Sequence, residues 1–164
     1  MNKLKKIQGI PVIHNAGKSE KGFFIEMDLL SSSLSEDLHR KWTRSDIRKL
    51  GSEILSILKD IHREGVIHRD IKPDNILRDK NGKIFLADFG LATYSHYDNE
   101  INYKIPTHRI GIRKRRNFIG TPYYASLAAH LGYPQTPKSD IESLLYLLCR
   151  LHKKSLPWDN LGSQ

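Results

Sequence analysis

The sequence holds one cysteine, Cys149, so no internal disulfide can form. Its longest apolar run, Leu144 to Cys149, is far shorter than the roughly 20 residues that a membrane-spanning helix requires. The lysines after Met1 lead into no apolar stretch, so this end does not read as a secretory leader. No internal repeat or low-complexity linker occurs. These absences exclude a disulfide-stapled secreted domain, a helical membrane protein and a repeat array, and they lead us to expect an intracellular protein of the cytoplasm or nucleus, without a membrane partner. What is present is ordinary for a globular chain: 164 residues, 38% hydrophobic and 27% charged, with a formal net charge of +9. That length is enough for one domain with a real core.

The most informative stretch runs from Val66 to Gly90. It sets Asp70, Asn75 and Asp88 at intervals, with Lys72 and Pro73 between the first two. Two apolar runs, Ile76-Leu77 and Ile84 to Ala87, flank Asp79-Lys80-Asn81-Gly82, and Asn-Gly between apolar runs predicts a hairpin. The hairpin would turn Asn75 and Asp88 toward one point in space. Phosphoryl transfer is the chemistry that needs such a set. Mg2+ takes oxygen ligands and few carboxylates, which suits Asp88 and the Asn75 amide oxygen. Asp70 would accept the proton of an attacking hydroxyl, and Lys72 would hold the transferring phosphoryl group as a point charge.

Around this stretch, the spacing predicts a helix from Thr43 to Glu64-Gly65. Thr43 and Asp46 form a capping box, and Ile47, Leu50, Ile54, Ile57, Leu58 and Ile61 recur at helical intervals. A second helix is expected from Thr136-Pro137 onward. It is apolar almost all round after Ser143, and so would be buried on every side. Near the start, Ile10 to Ile13 and Phe23 to Met27 read as short strands joined by a turn over Gly17 to Gly22; alone they would pass for ordinary edge strands. Between Leu91 and Phe118 the chain is polar and basic, with Lys104, Arg109 and the run Arg113 to Arg116. Such a run is most often a solvated face. Its functional readings are a landing site for acidic or phosphorylated protein substrates, a nuclear-import signal, or a nucleic-acid patch. Tyr94, Tyr97 and Tyr103 lie nearby, but no RNA-binding or helix-turn-helix pattern accompanies them, so the nucleic-acid reading is the weakest. Nothing in the sequence marks an oligomeric state.

His68-Arg69-Asp70-Ile71-Lys72-Pro73-Asp74-Asn75 and Asp88-Phe89-Gly90 resemble the catalytic loop and metal-binding loop of protein kinases. Gly9-Ile10-Pro11, Tyr124-Ala125-Ser126, His130-Leu131-Gly132, Asp140-Ile141-Glu142-Ser143 and Ser155-Leu156-Pro157-Trp158 are similar to the casein kinase 1 family of Ser/Thr kinases in particular. The resemblance covers about Ile7 to Gly162. It implies an α+β, protein-kinase-like fold, here truncated, with a remnant of the small-lobe strands and hinge over residues 1–30 and a mainly helical large lobe over 31–164. It also implies ATP and Mg2+ as cofactors. Met27 would sit at the back of the nucleotide pocket, the backbone from Asp28 to Leu30 would pair with the base, and Leu77 and Asp88 would complete the pocket. Lys72 and Thr121 would fit a Ser/Thr acceptor.

Three departures stand out. Casein kinase 1 proteins usually carry an arginine where this chain has Tyr123, and that arginine helps bind primed substrates. The segment after the hinge is one residue longer than usual. No Gly-x-Gly-x-x-Gly loop and no Val-Ala-Ile-Lys run precede the hinge. A truncated kinase with little activity alone is therefore one expectation. A pseudokinase-like binding module that uses its basic segment is another, and a charge-driven binder of acidic partners is a third.

Overall fold

Thr43 opens the longest helix. Its hydroxyl accepts the Asp46 N–H at 3.1 Å, and the Asp46 carboxylate accepts the Thr43 N–H at 3.0 Å. The capping box of the sequence is thus formed, and α1 runs Arg44–Arg63. Leu50, Ile54, Ile57, Leu58 and Ile61 make its buried stripe, as their spacing requires. Our computed structural model describes residue 4 and residues 6–95 and 118–159. The basic run Lys104, Arg109 and Arg113 to Arg116, with Tyr97 and Tyr103, lies outside the described residues.

The chain before α1 forms a two-stranded antiparallel hairpin, β1 (Ile13–Ser19) and β2 (Gly22–Met27). Here the structure corrects the sequence reading. The first strand begins where Ile10 to Ile13 was expected to end, and the turn narrows to Glu20-Lys21, with Ser19 facing Gly22. The reason is packing: Leu4, Ile7 and Ile10 lie against the hydrophobic core instead of joining the hairpin. Gly9 permits this approach. A Cβ there would fall 2.5 Å from Ile57 Cδ1, and the Gly9 carbonyl accepts the Leu86 N–H at 2.8 Å.

β3 (Ser32–Ser33) pairs with β5 (Ile76–Arg78), and β5 pairs antiparallel with β6 (Ile84–Leu86), in the register Ile76 to Leu86 and Leu77 to Phe85. The expected hairpin is therefore present. Its turn is closed by the Asp79 carboxylate, which accepts the N–H groups of Asn81 (2.8 Å) and Lys83 (2.9 Å). β4 (Val66–Ile67) pairs antiparallel with β7 (Thr93–Tyr94) in a separate two-stranded sheet.

A short helix α2 (Leu127–His130) precedes α3 (Pro137–Lys153), which Thr136 and Ser139 cap and Pro137 begins. α3 packs against α1, where Leu148 lies over Gly51, and it buries Leu144, Leu147 and Leu151 in the core. It is not buried on every side: Leu145 is 55% exposed and Cys149 is also exposed. Leu144, Leu147 and Leu151 recur every three or four residues and form one stripe toward the core, whereas Leu145 falls outside that stripe. The whole is an α+β mixture of small antiparallel sheets around two long helices. Among the described residues, no helix is long and apolar enough to cross a membrane.

Candidate active site

After β4 the chain enters His68-Arg69-Asp70, in which His68 and Asp70 are buried. The His68 ring is fully buried. Its Nε2 lies 3.0 Å from the Ala87 carbonyl and its Nδ1 accepts the Asp70 N–H at 3.3 Å. One nitrogen donating and the other accepting describes a neutral imidazole. Burial drives the pKa the same way, below the usual histidine range, against the opposing pull of Asp140, Asp70 and Asp88. The ring also meets Phe89 edge-on, at 4.8 Å between centroids. Thus the loop at 68–70 and the loop at 88–90 pack directly on each other.

Asp70 is the centre of the cluster. Its Oδ1 accepts the Thr121 hydroxyl at 2.7 Å, while Oδ2 meets Lys72 Nζ at 2.9 Å and Asn75 Nδ2 at 3.2 Å. Lys72 Nζ donates in turn to Thr121 Oγ1 at 3.0 Å. Burial alone would raise the Asp70 pKa, but the hydrogen bonds from Lys72, Thr121 and Asn75 outweigh it and hold the carboxyl below its ordinary range. It stays ionised at neutral pH. The arrangement can accept a proton or orient a hydroxyl at Asp70 with a cation beside it.

Thr121 comes from a distant part of the chain, and Gly120 is what lets it arrive. A Cβ at Gly120, whose φ is +114°, would lie 2.7 Å from the Arg69 carbonyl. Only glycine lets the two backbones touch.

Asn75 ends the 3-10 turn Pro73–Asn75 and is buried. Its Nδ2 donates to the Asp70 carbonyl (2.9 Å) as well as to the carboxylate, and its own carbonyl accepts the Ala87 N–H at 2.9 Å. The base of the hairpin therefore joins Asn75 to the residue before Asp88. Asp88 is exposed, holds a left-handed φ of +59°, and accepts the Gly90 N–H at 3.1 Å. Among the described residues no three His, Cys, Asp or Glu side chains form a metal cage. The Asn75–Ala87 bond sets an amide one residue from a carboxylate's backbone, and amide and carboxylate oxygens are the donor types Mg2+ favours.

The expected nucleotide-pocket residues are placed less uniformly. Met27 ends β2 and is 44% exposed, Leu77 is half-buried on β5, and Leu30 is half-buried in the connection. The Asp28 N–H is already bonded to the Val12 carbonyl at 3.0 Å, so only its carbonyl is left to meet a base. The Val12 N–H and then the His14 ring hold the Asp28 carboxyl below its ordinary range. Tyr123 lies with its hydroxyl on Asp159 and its carbonyl on the Trp158 indole N–H, 3.0 Å away. Burial, then that carboxylate, pushes its pKa up to about 12.

One functional residue escaped the sequence reading. Asp140, 1% exposed, accepts the His68 N–H (2.9 Å), the Arg69 N–H (2.8 Å) and His62 Nε2 (2.8 Å). It ties the 68–70 loop to α1 and α3 together. A carboxylate in the first turn of an otherwise apolar helix was the available signal, and it passes for an ordinary helix-start acid.

A family model described as protein kinase domain matches residues 1–164. With the 68–75 loop, the 88–90 loop and the hairpin between them in place, the chain belongs to the protein kinase family.

Proposed function

We propose that this protein is a Ser/Thr kinase of the casein kinase 1 type, transferring the γ-phosphate of ATP to serine or threonine hydroxyls of proteins. The observation that carries the reading is the shared carboxylate of Asp70, bonded at once to Lys72, Thr121 and Asn75. In this reading Asp70 takes the acceptor's proton and Lys72 steadies the transferring phosphoryl group. The Thr121 hydroxyl holds the two in register, which supports an acceptor as small as Ser or Thr. Asn75 and Asp88 would hold Mg2+. They fit that task because the Asn75 nitrogen is committed to Asp70, which leaves its amide oxygen as the free acceptor, and because the Asp88 carboxylate is exposed. When bound, the ion neutralises charge on the phosphate oxygens.

The lobes would divide near residue 30, with Leu4, Ile7 and Ile10 packed on the larger one. Met27, the Asp28 carbonyl, Leu30 and Leu77 would line the nucleotide. Acidic or phosphorylated proteins inside the cell are the acceptors that the basic segment before Phe118 favours.

The test is phosphate transfer from labelled Mg-ATP to casein by the purified chain, beside Asp70→Asn and Asp88→Asn. Loss of transfer in both variants is the expected result. Loss of a positioned general base typically costs about a hundred- to ten-thousand-fold in rate. Transfer that survives Asp70→Asn unchanged would refute these roles, and nucleotide binding with no transfer in any form would favour a binding module instead.

A further inference from the structure

At its start β1 carries one residue more than β2: Ile13 faces Met27, and Asn15 faces Glu26. The surplus residue is His14. A bulge leaves its extra residue out of the ladder and re-aims the side chain. Here the His14 ring reaches the residue just beyond β2, with Nε2 at 2.8 Å from Asp28 Oδ1. The other carboxylate oxygen accepts the Val12 N–H at 2.9 Å, and the Asp28 N–H goes to the Val12 carbonyl at 3.0 Å. Asp28 is thus held to the 12–14 segment at three points. The connection is held again at Ser31, whose N–H meets the Arg78 carbonyl of β5 at 2.7 Å. Only Leu29 and Leu30 lie between the two anchors, and Leu29 is 98% exposed. So short a span takes its course from its ends.

We propose that His14 is a positioning residue for the nucleotide: by clamping Asp28 it sets the backbone from Asp28 to Leu30 that receives the base, and it clamps harder when its ring is protonated. This rests on the kinase reading above. An imidazole changes charge between about pH 5 and 8, and a charge-assisted bond to a carboxylate is stronger than a neutral one. The charged group facing the ring is the Asp28 carboxylate. On the paired strand Glu26 stands opposite Asn15, and along β1 the next ionisable residue is Lys18.

Adenosine is the probe, since it carries no phosphate that titrates over this range. Its affinity for the full chain is measured from pH 5.5 to 8 in the unaltered protein, His14→Ala and His14→Arg. Affinity of the unaltered protein should fall by about two- to fivefold as pH rises, the range for an exposed ion pair. His14→Arg, cationic throughout, should keep the acid-side affinity at every pH, and His14→Ala should be weak and flat. A merely structural histidine would make the Arg and Ala variants alike, with the pH profile unmoved. That result, or affinity indifferent to both substitutions, overturns the clamp alone. Failure of the unaltered chain to bind adenosine at any pH overturns the kinase reading, and the clamp with it.

Discussion

Replacing Asp140 by alanine removes one side chain and strands three donors. The His68 N–H, the Arg69 N–H and His62 Nε2 all end on its two oxygens, at 2.8 to 2.9 Å. His68 is fully buried and Asp140 is 1% exposed, so water cannot easily take over. A buried donor left without an acceptor costs about 1–3 kcal/mol. Three such losses are not fully additive, and removing a buried carboxylate also removes its own desolvation cost. Set against three donors left without an acceptor, the expected destabilisation is about 3–5 kcal/mol. It is a large part of the roughly 5–15 kcal/mol that holds a domain together. With a urea dependence of about 2 kcal/mol per molar, the unfolding midpoint should fall by about 2 M. The assay is urea titration followed by far-UV circular dichroism and by fluorescence of Trp42 and Trp158, with the slope required to stay constant. Asp140→Asn keeps one acceptor oxygen and should fall between the alanine variant and the unaltered chain. A midpoint for Asp140→Ala within about 0.3 M of the unaltered protein, at equal slope, would refute the claim that this carboxylate anchors the loop.

Asp70 is held below its ordinary pKa, so its contribution to stability is complete above the unfolded value, about 3.9, and drains away as pH falls through the folded value. Lys72→Met removes one cause of that depression and should move the midpoint of acid unfolding upward; an unchanged midpoint in a pH titration would deny Lys72 that role. Gly120→Ala places a Cβ 2.7 Å from the Arg69 carbonyl at a φ of +114°, which should cost about 1–3 kcal/mol in denaturant titration and pull Thr121 off Asp70. On α3, Leu147→Ala should cost about 2–5 kcal/mol. Leu145→Ala should cost far less, because its side chain is half in water, and equal losses in thermal unfolding would mean that the helix is covered on both sides.

Much of this was legible in the sequence because its causes are local. The Thr43–Asp46 box starts α1, the apolar stripe from Leu50 to Ile61 buries it, and Asn81-Gly82 turns the 76–86 hairpin. Each depends on residues a few positions apart. What was misread depends on distant packing. The start of β1 moved to Ile13 because Ile7 and Ile10 find the core, which no local pattern reports. The apolar residues of the second helix predict burial all round, yet composition does not say whether a neighbour exists to cover Leu145. At the site, Asp70, Lys72 and Asn75 come together as their spacing requires. The partnership of Asp140 with His68 and His62 spans more than seventy residues and leaves no periodic trace.

Among the described residues, the polar residues that are buried belong largely to the site and its supports: His68, Asp70, Asn75 and Asp140, with Ser126 and Ser139 at helix starts and Ser143 within α3. Among the described residues, no buried side-chain polar atom lacks a partner. A fully satisfied network of this kind favours one loop conformation over its alternatives. That matters because the loop is not relaxed. Arg69 and Asp88 both hold left-handed φ angles, +70° and +59°, which cost a non-glycine residue about 1–2 kcal/mol each. Each is held from outside its own preference, Arg69 by the Asp140 oxygen on its N–H and Asp88 by the Gly90 N–H on its carboxylate. Release of Arg69 would let its backbone return to negative φ. The next residue is Asp70, so that rotation would carry the carboxylate away from Lys72 and Thr121. The position of the candidate base is therefore set by an aspartate seventy residues further along the chain.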